Sequence, residues 1–328
     1  MEKTACHSKA FAPNGAQALS FSDRDAIMSD YAMAEHPDYD KIIVTKLQGG
    51  LGNILFQYIA GLSLARKRDC ALFCAQDGGV IHQSGLELVG INPNYLDLPA
   101  DLVRRARRKK DRRLSEHFKS RLGLWPLKPV SEPHFHYWPG FEDLPTGILL
   151  SGYWQSCRYF DLFKHELNDI INLEAIVQTC DPALLDTITC NNTVSVHIRR
   201  GDFSKDPTAL SVHGIVEEDY YDRARALLDR EVQPDLYCVF SDAPETAKEM
   251  LAHWDKTLFI EGNSQQQDLA LMSLCHHNII ANSSFSWWGA MLNRHSKKNV
   301  CAPKAWFTPH ALQTRSTADL FPGDWNVI

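Results

Sequence analysis

The sequence predicts an α/β protein built from two Rossmann-like domains that face each other across a cleft. Apolar, β-branched segments alternate along the chain with helical segments, a rhythm typical of βαβ units and parallel sheets. Two regions with this rhythm are joined near residues 175–190, and 328 residues suffice for two separate cores. We therefore predict an N-terminal extension over residues 1–40, an N-terminal domain over 41–188 and a C-terminal domain over 189–328.

The composition is that of a globular protein without an overall attraction to nucleic acid or membrane. Hydrophobic residues make up 44% of the chain, charged residues make up 23%, and the formal net charge is −6. No apolar run is long enough to span a bilayer, and residues 1–40 lack the order of a secretory signal. The nine cysteines form no CxxC pair, which argues against structural zinc. These observations predict a cytoplasmic location.

The first region opens with a strand over Lys41–Leu47, and the turn Gly49–Asn53 leads from it into a helix with one apolar face. Further strands are predicted over Cys70–Ala75 and Ile148–Ser151. The segment between them, from Gln76 to Gly147, is rich in proline and aromatic residues and reads as irregular.

The second region alternates more regularly. The predicted strands are Thr193–Ile198, Leu236–Phe240, Thr257–Ile260, Asn278–Ala281 and Asn299–Ala302. The predicted helices are Glu217–Asp229, Pro244–His253, Gln267–Leu274 and Phe285–Asn293. This order indicates a second parallel sheet.

The end of strand Thr193–Ile198 carries the most informative side chains. Two arginines, Arg199 and Arg200, precede Gly201, where the chain turns. Open α/β sheets bind ligands at the carboxyl ends of their strands, and a planar guanidinium suits phosphate oxygens. The alternative is an ion pair between an arginine and Asp202 that stabilises the turn.

Two other turns favour anions. Gly49–Asn53 joins a strand to a helix N-terminus, although it is neither GxGxxG nor a P-loop, so a tight turn without ligand is the alternative. Asn282, Ser283 and Ser284 form a strand-to-helix turn that could bind a ligand or simply cap the helix. Asp268 opens a helix, where it could cap or accept hydrogen bonds from guanine N1 and N2.

Other features of the chain support less specific interpretations. The Asp-x-Asp pairs at Asp23 and Asp38 lie in the polar tail, and we predict no metal site there. The basic run over residues 104–113 reads as a solvated face, with contact to anionic lipid as the alternative. The aromatic candidates for stacking on sugars are Trp125, Tyr137, Trp138, Tyr153 and Trp154, and their alternative role is in the core.

The chain resembles the α-1,2-fucosyltransferases of glycosyltransferase family 11, inverting enzymes that use GDP-fucose without a metal ion. The motifs that carry the resemblance are Gly49–Tyr58, His197–Asp202, Phe240–Asp242 and the block from Asp268 to Gly289. Ile54 stands where the family usually has glutamine. The resemblance covers about residues 41–310 and leaves out the first 40.

The resemblance implies a GT-B fold, with the acceptor domain first and the donor domain second. The donor-binding residues that it implies are Gly50, Asn53, His197, Arg199, Asp268, Asn282, Ser283 and Ser284. Among these, Arg199 would hold the β-phosphate, while His197 and Asp268 would hold the guanine. Gly50 and Asn53 would approach the fucose and phosphate from the other domain.

The resemblance thus implies transfer of L-fucose from GDP-β-L-fucose to the 2-hydroxyl of a terminal β-galactoside, the acceptor being lipid-linked or free. Charge left on the β-phosphate would be stabilised by Arg199, with no metal or other cofactor. Asp202 and His213 are the candidate bases that deprotonate the acceptor. The alternatives are a transferase of another GDP-sugar and a non-catalytic module that binds a sugar nucleotide or glycan.

Overall fold

The computed structural model describes residues 37–76, 85–98, 127–201 and 207–328. The described chain falls into two compact units, one ending at Glu166 and the other beginning at Leu167. The predicted boundary at 188/189 stays a prediction. Each unit contains one parallel sheet with helices packed on it, which confirms the predicted α/β class. Two such units are the components of the GT-B fold.

The N-terminal unit is built on a five-stranded sheet in the order β3-β2-β1-β5-β4. All of its neighbouring strands are parallel. Its elements are β1 (Ile42–Leu47), α1 (Leu51–Lys67), β2 (Ala71–Gln76), β3 (Asn94–Tyr95), β4 (Lys128–Ser131) and β5 (Ile148–Ser151). Its 3-10 helices are Tyr39–Lys41, Glu87–Val89, Pro139–Asp143 and Cys157–Glu166.

The C-terminal unit is built on a six-stranded sheet in the order β11-β10-β9-β6-β7-β8, also parallel throughout. Three helices precede the sheet: α2 (Leu167–Ile170), α3 (Glu174–Val177) and α4 (Pro182–Cys190). The sheet region then runs β6 (Thr193–Ile198), α5 (Pro207–His213), α6 (Glu218–Glu231), β7 (Leu236–Ser241), α7 (Pro244–Met250), β8 (Thr257–Ile260), α8 (Gln265–Leu274), β9 (His277–Ile279), α9 (Ser284–Leu292), β10 (Val300–Ala302), α10 (Pro309–Leu312) and β11 (Asn326–Val327).

Strand β6 separates a dry face from a polar one because side chains alternate along a strand. Val194, Val196 and Ile198 are fully buried in the core formed with α6 and α7. Ser195 and His197 lie on the opposite face, where Asn278 Nδ2 donates to Ser195 Oγ at 2.7 Å. The buried polar side chains of this second face extend from Ser195 to His197, near the carboxyl end of the strand.

Each predicted strand and helix is present, and the structure adds elements that the sequence pattern did not indicate. Among these, β3, β4 and β11 are short edge strands. Strand β4 contains Pro129, which only an edge position tolerates because proline has no N–H for the ladder. The predicted irregular segment from Gln76 to Gly147 thus contributes two strands to the sheet.

The predicted extension and basic run lie largely outside the described residues. Residues 1–36 and the run over 104–113 are both beyond what the structure describes. Within residues 37–40, Asp38 caps the Tyr39–Lys41 helix and pairs with Lys41 at 3.0 Å. Within the described residues, no helix is both long enough and apolar enough to cross a membrane.

Candidate functional site

The strand order of the C-terminal unit indicates a ligand position at the carboxyl ends of two central strands of its sheet. Strand β6 continues to its neighbour β7, whereas β9, on the other side of β6, continues to β10. Chains leaving β6 and β9 therefore turn away in opposite directions and leave a crevice at their carboxyl ends, the preferred ligand position in open α/β sheets. The arginine motif and the Asn282–Ser284 turn follow these two strands.

Arg199 is held at this crevice by a carboxylate from the neighbouring strand. Its Nε lies 3.1 Å from Oδ2 of Asp242, which directly follows β7. The other carboxylate oxygen, Oδ1, accepts the backbone N–H groups of Arg200 at 2.8 Å and Gly201 at 2.9 Å. Burial alone would raise the pKa of Asp242, but these donors and the guanidinium outweigh it and lower that pKa. Asp242 is therefore an ionised clamp that orients Arg199.

The clamp also explains Gly201. A Cβ at this position would lie 2.9 Å from both Cγ and Oδ2 of Asp242, so only glycine lets the carboxylate approach the turn this closely. The sequence singled out an Arg–Asp202 pair as the alternative to phosphate binding. Asp202 lies outside the described residues, and the ion pair that the structure describes joins Arg199 to Asp242.

The two arginines point to different tasks. Arg200 Nη2 donates to the carbonyl of Val216 at 2.6 Å and lies 3.3 Å from Met250 Sδ, so this side chain ties the turn to the core. Arg199 remains partly exposed, with 24% of its side chain accessible. The assignment of Arg199 to a ligand and of Arg200 to the turn stays a prediction.

His197 lies beneath this edge as a neutral imidazole. It is 4% exposed, and its ring centroid lies 5.8 Å from that of Phe285 at the start of α9. Burial, reinforced by the charge of Arg199, lowers its pKa to about 3. Nδ1 is buried and has no hydrogen-bond partner among the described residues. A buried polar atom of this kind is unusual and marks a place where a ligand could supply the missing partner.

The Asn282–Ser284 turn holds neighbouring loops together and caps helix α9. Asn282 is buried, and its Nδ2 donates to the carbonyl of His213 at 2.9 Å and to that of Trp306 at 3.4 Å. Ser283 caps α9 by accepting the N–H of Phe285. Asn282 therefore joins three loops at the sheet edge, and the structure places Ser283 at a helix N-terminus, which favours anions.

His213 is the last residue of α5, and its backbone carbonyl accepts the hydrogen bond from Asn282 described above. Its ring centroid lies 5.3 Å from that of Phe307. Burial, followed by the charge of Arg315, lowers its pKa to about 4. His213 is therefore neutral at pH 7, and the same burial makes its imidazole a weaker base than an exposed histidine. Its role as base stays a prediction, as does that of Asp202.

Asp268 lies in the first turn of α8, the helix that packs along α9. It does not cap the helix: Ser264 does, in a capping box completed by Gln267. The Asp268 carboxylate accepts a hydrogen bond from Asn263 Nδ2 at 3.2 Å, and burial raises its pKa to about 6. The capping interpretation of Asp268 is thus wrong, because the cap is already supplied.

The N-terminal unit has a corresponding position between β1 and β5. Strand β1 continues to β2 on one side, while β5 lies on its other side. After β1, Gly49 adopts a left-handed φ of 87°, and a Cβ there would lie 2.6 Å from Asn53 Nδ2. Gly50 is the N-cap of α1 and has an ordinary φ of −77°, and a Cβ there would meet nothing within 4 Å. Space is therefore open beside Gly50 at a helix N-terminus.

Side chains that the sequence did not single out hold this loop. Gln57, fully buried, bonds both ways to the backbone of Gln48, accepting its N–H at 2.8 Å and donating to its carbonyl at 3.1 Å. Gln155, which follows β5, donates to Asn53 Oδ1 at 2.7 Å. Glu132, which follows β4, accepts the N–H groups of Tyr153 and Trp154 at 2.9 and 3.0 Å.

The aromatic candidates separate by exposure. Trp154 is fully buried with a φ of 54° and packs on Phe141 and Tyr159, so it belongs to the core. Tyr153 is 41% exposed and remains available for stacking, while Trp125 lies outside the described residues.

In the part of the chain that the structure describes, one group offers metal-ligating atoms within 4.8 Å of one another: Glu218, Asp222 and His253. This group is partly exposed and contains no residue of the motifs above.

Comparison with known proteins identifies relatives that cover up to 87% of this chain. The model of the family described as "Glycosyl transferase family 11" matches residues 139–328. An Escherichia coli α-1,2-colitosyltransferase is 34% identical over 87% of this chain and 98% of its own. A rabbit (Oryctolagus cuniculus) galactoside α-(1,2)-fucosyltransferase 2 is 23% identical over half of each chain. Among solved structures, the Bradyrhizobium fucosyltransferase NodZ is similar with a TM-score of 0.44 and 13% identity, over 76% of this chain and 92% of that one.

Proposed function

The chain belongs to glycosyltransferase family 11, and from that premise we propose that it transfers a 6-deoxy sugar from a GDP-activated donor to the 2-hydroxyl of a terminal β-galactoside. L-Fucose is the first candidate for the sugar. The observation that carries the proposal is the Asp242 clamp, which presents the Arg199 guanidinium at the crevice between β6 and β9. A fixed, partly exposed guanidinium is suited to a diphosphate.

The proposed reaction is a single inverting displacement. The acceptor 2-hydroxyl oxygen attacks C1 of the sugar, the C1–O bond to the β-phosphate breaks, and its electron pair stays on the phosphate oxygen. Arg199 stabilises the negative charge that develops there, and the N-terminus of α9 adds to this stabilisation. The proton of the hydroxyl passes to a base, for which Asp202 and His213 are the candidates.

The nucleotide is guanine in this proposal. The Asp268 carboxylate does not cap α8, since Ser264 does. Guanine offers a carboxylate two adjacent donors, N1–H and N2–H₂. His197 Nδ1, buried without a partner among the described residues, adds a second polar contact for the nucleoside. Neither adenine nor uracil presents the same pair of donors to a carboxylate.

Colitose is a second candidate for the transferred sugar. The relative that is 34% identical over 87% of this chain is an α-1,2-colitosyltransferase. Colitose is fucose without the 3-hydroxyl, so both sugars present the same anomeric carbon and leaving group. Discrimination between them rests on hydrogen bonds to one hydroxyl, and a site built for it rejects the analogue strongly.

The test uses purified protein, a panel of β-galactosides, and GDP-fucose, GDP-colitose or UDP-galactose as donor. We expect transfer from a GDP-sugar, none from UDP-galactose, and an α-1,2 linkage in the product by NMR. Transfer should persist in excess EDTA. Absence of transfer from both GDP-sugars, with GDP binding retained, would favour a non-catalytic binding module. Lipid-linked acceptors belong in the panel because of the basic run at 104–113, whose membrane contact stays a prediction.

A further inference from the structure

The carboxyl edge of the N-terminal sheet contains an unusual amount of buried polar structure. Gln57 is fully buried, Gln155 is 7% exposed and Glu132 is 9% exposed. Each of these side chains is bonded to one of the two loops that follow β1 and β5. Burying polar groups costs free energy unless they are paired, and the hydrogen bonds that pair these three side chains also fix the loops to which they are bonded.

The loop after β5 is held in one conformation by Glu132. One oxygen of its carboxylate accepts the N–H of Tyr153, and the other accepts the N–H of Trp154. Trp154 has a φ of 54°, a left-handed conformation that costs a bulky residue free energy. The next residue, Gln155, therefore leaves a fixed backbone and has little freedom in where its amide can reach.

Gln155 reaches the other loop. Its Nε2 donates to Oδ1 of Asn53 at 2.7 Å, across the β1–β5 position, from 102 residues away in the sequence. Once Oδ1 of Asn53 is engaged by Gln155, the plane of the Asn53 carboxamide and the direction of its Nδ2 are set. Asn53 lies in the first turn of α1, beside the open space at Gly50.

We propose that Gln155 is a positioning residue for transfer: it fixes the orientation of the Asn53 carboxamide, and Glu132 fixes the loop that carries it. This inference rests on the proposed function, in which Asn53 contacts the sugar nucleotide. Gln155 itself acts through Asn53. In transfer reactions the geometry of the bound groups supplies much of the rate. A small displacement of a side chain that contacts the substrate therefore lowers the rate strongly.

Gln155→Glu and Gln155→Met test the role, with Gln313→Glu as the control for added charge at an exposed glutamine. An ionised glutamate cannot donate to Asn53 Oδ1, but a protonated one can, and burial at this 7%-exposed position should raise the pKa of an introduced glutamate towards the tested range. We expect kcat/KM at pH 8 to fall about tenfold or more in both Gln155 variants. The ratio of Gln155→Glu to parent should rise as the pH falls from 8 to 5.5, while that of Gln155→Met stays constant.

Thermal denaturation separates positioning from folding. In Gln155→Met, which adds no charge, loss of one neutral hydrogen bond should lower the midpoint by no more than about 4 °C in a chain of this size. A larger fall in Gln155→Met that parallels its loss of activity overturns the role, as does a Gln155→Glu ratio that does not change with pH. If Gln155→Glu does not fold, Gln155→Met combined with Asn53→Ala decides. The double variant should be no slower than Asn53→Ala alone, and a further tenfold loss contradicts the inference.

The activity of the parent protein distinguishes a failure of the positioning role from a failure of the proposed function. A parent that transfers neither fucose nor colitose refutes the proposed function and with it the role of Gln155. A parent that transfers one of them, while both Gln155 variants keep full activity, refutes only the positioning role.

Discussion

Replacing Asp268 by asparagine should make the protein more stable at neutral pH and less selective for GDP. The carboxylate is partly buried in the first turn of α8, and Asn263 is its hydrogen-bond donor among the described residues. Burial raises its pKa to about 6. The folded protein therefore holds this group ionised at pH 7.5 against the preference of its surroundings, and an amide of the same shape has no such penalty.

The magnitude follows from the pKa. An ordinary aspartate titrates near 3.9, and each pH unit of difference is worth about 1.4 kcal/mol, so a pKa of about 6 corresponds to roughly 3 kcal/mol. Because the side chain keeps some contact with water, we expect about 2 kcal/mol. The penalty is absent where both states are protonated, below about pH 4, and grows as the pH rises to 6. The stabilisation by Asp268→Asn should therefore be complete at pH 7.5 and vanish near pH 4.

GDP binding should change in the opposite sense. The ionised carboxylate accepts two hydrogen bonds from guanine, and losing them leaves polar groups unpaired at a cost of roughly 1–3 kcal/mol, or about tenfold or more in affinity. In the parent, GDP affinity relative to Asp268→Asn should fall up to about tenfold per pH unit below 6. The ratio of the two proteins cancels the titration of the GDP phosphate itself.

Isothermal calorimetry with GDP and ADP, and chemical denaturation from pH 4 to 7.5, measure both effects. Asp324→Asn, at an exposed position of the same unit, is the control and should change neither. The reasoning is refuted if Asp268→Asn binds GDP with the affinity and the preference over ADP that the parent shows. A variant that is less stable than the parent at pH 7.5 would refute the stability argument separately.

Three further substitutions and one depletion test the rest of the site. Arg199→Ala should lower kcat by about 10²–10³ with the fold intact, and Arg199→Lys should recover little because a point charge lacks the bidentate fork; near-parent turnover would contradict the phosphate role. Asp242→Ala should lower kcat by about tenfold or more and stability by roughly 2 kcal/mol, since three hydrogen-bond donors lose their acceptor; unchanged kinetics would mean that Arg199 needs no clamp. Gly50→Ala should keep the melting temperature but raise KM for the donor, whereas Gly323→Ala, equally open around its Cα, should change neither; equal kinetics in the two variants would show that no ligand approaches Gly50. Excess EDTA should leave transfer intact, and a loss that manganese restores would show that a metal is required.

Much of the fold could be predicted because its signals are local. The apolar segments of β1 and β6 and the amphipathic face of α1 are determined by residues within one element. Some turns also carry their own chemistry: after β1, Gly49 takes the left-handed conformation, and after β9, Ser283 caps α9. The edge strands were missed for the same reason, since two to four residues, one of them proline, carry no periodic pattern.

The motifs of the donor site were visible in the sequence, but the role of each residue came from the family resemblance and not from the local pattern. Arg199 and Arg200 are adjacent and chemically identical, and no local pattern says which one faces a ligand. The partner of Arg199 is Asp242, which sequence reasoning placed in a motif without giving it a task. A sharper reading of Phe240–Asp242 as the end of the neighbouring strand could have found it, because parallel neighbours bring their carboxyl ends together.

The sequence by itself thus determined the class of fold, the positions of the main strands and helices, and the turns that follow the carboxyl ends of those strands. Only the tertiary structure decided which side chains hold those turns: Asp242 for Arg199 and Gln155 for Asn53. The cap of α8, which is Ser264 in place of Asp268, is a local S-x-x-Q signal that sequence reasoning missed. Both pairings join segments that follow different strands, up to 102 positions apart. Strand order and register bring such residues together, and these arise from the packing of the whole sheet, which no short window of sequence contains.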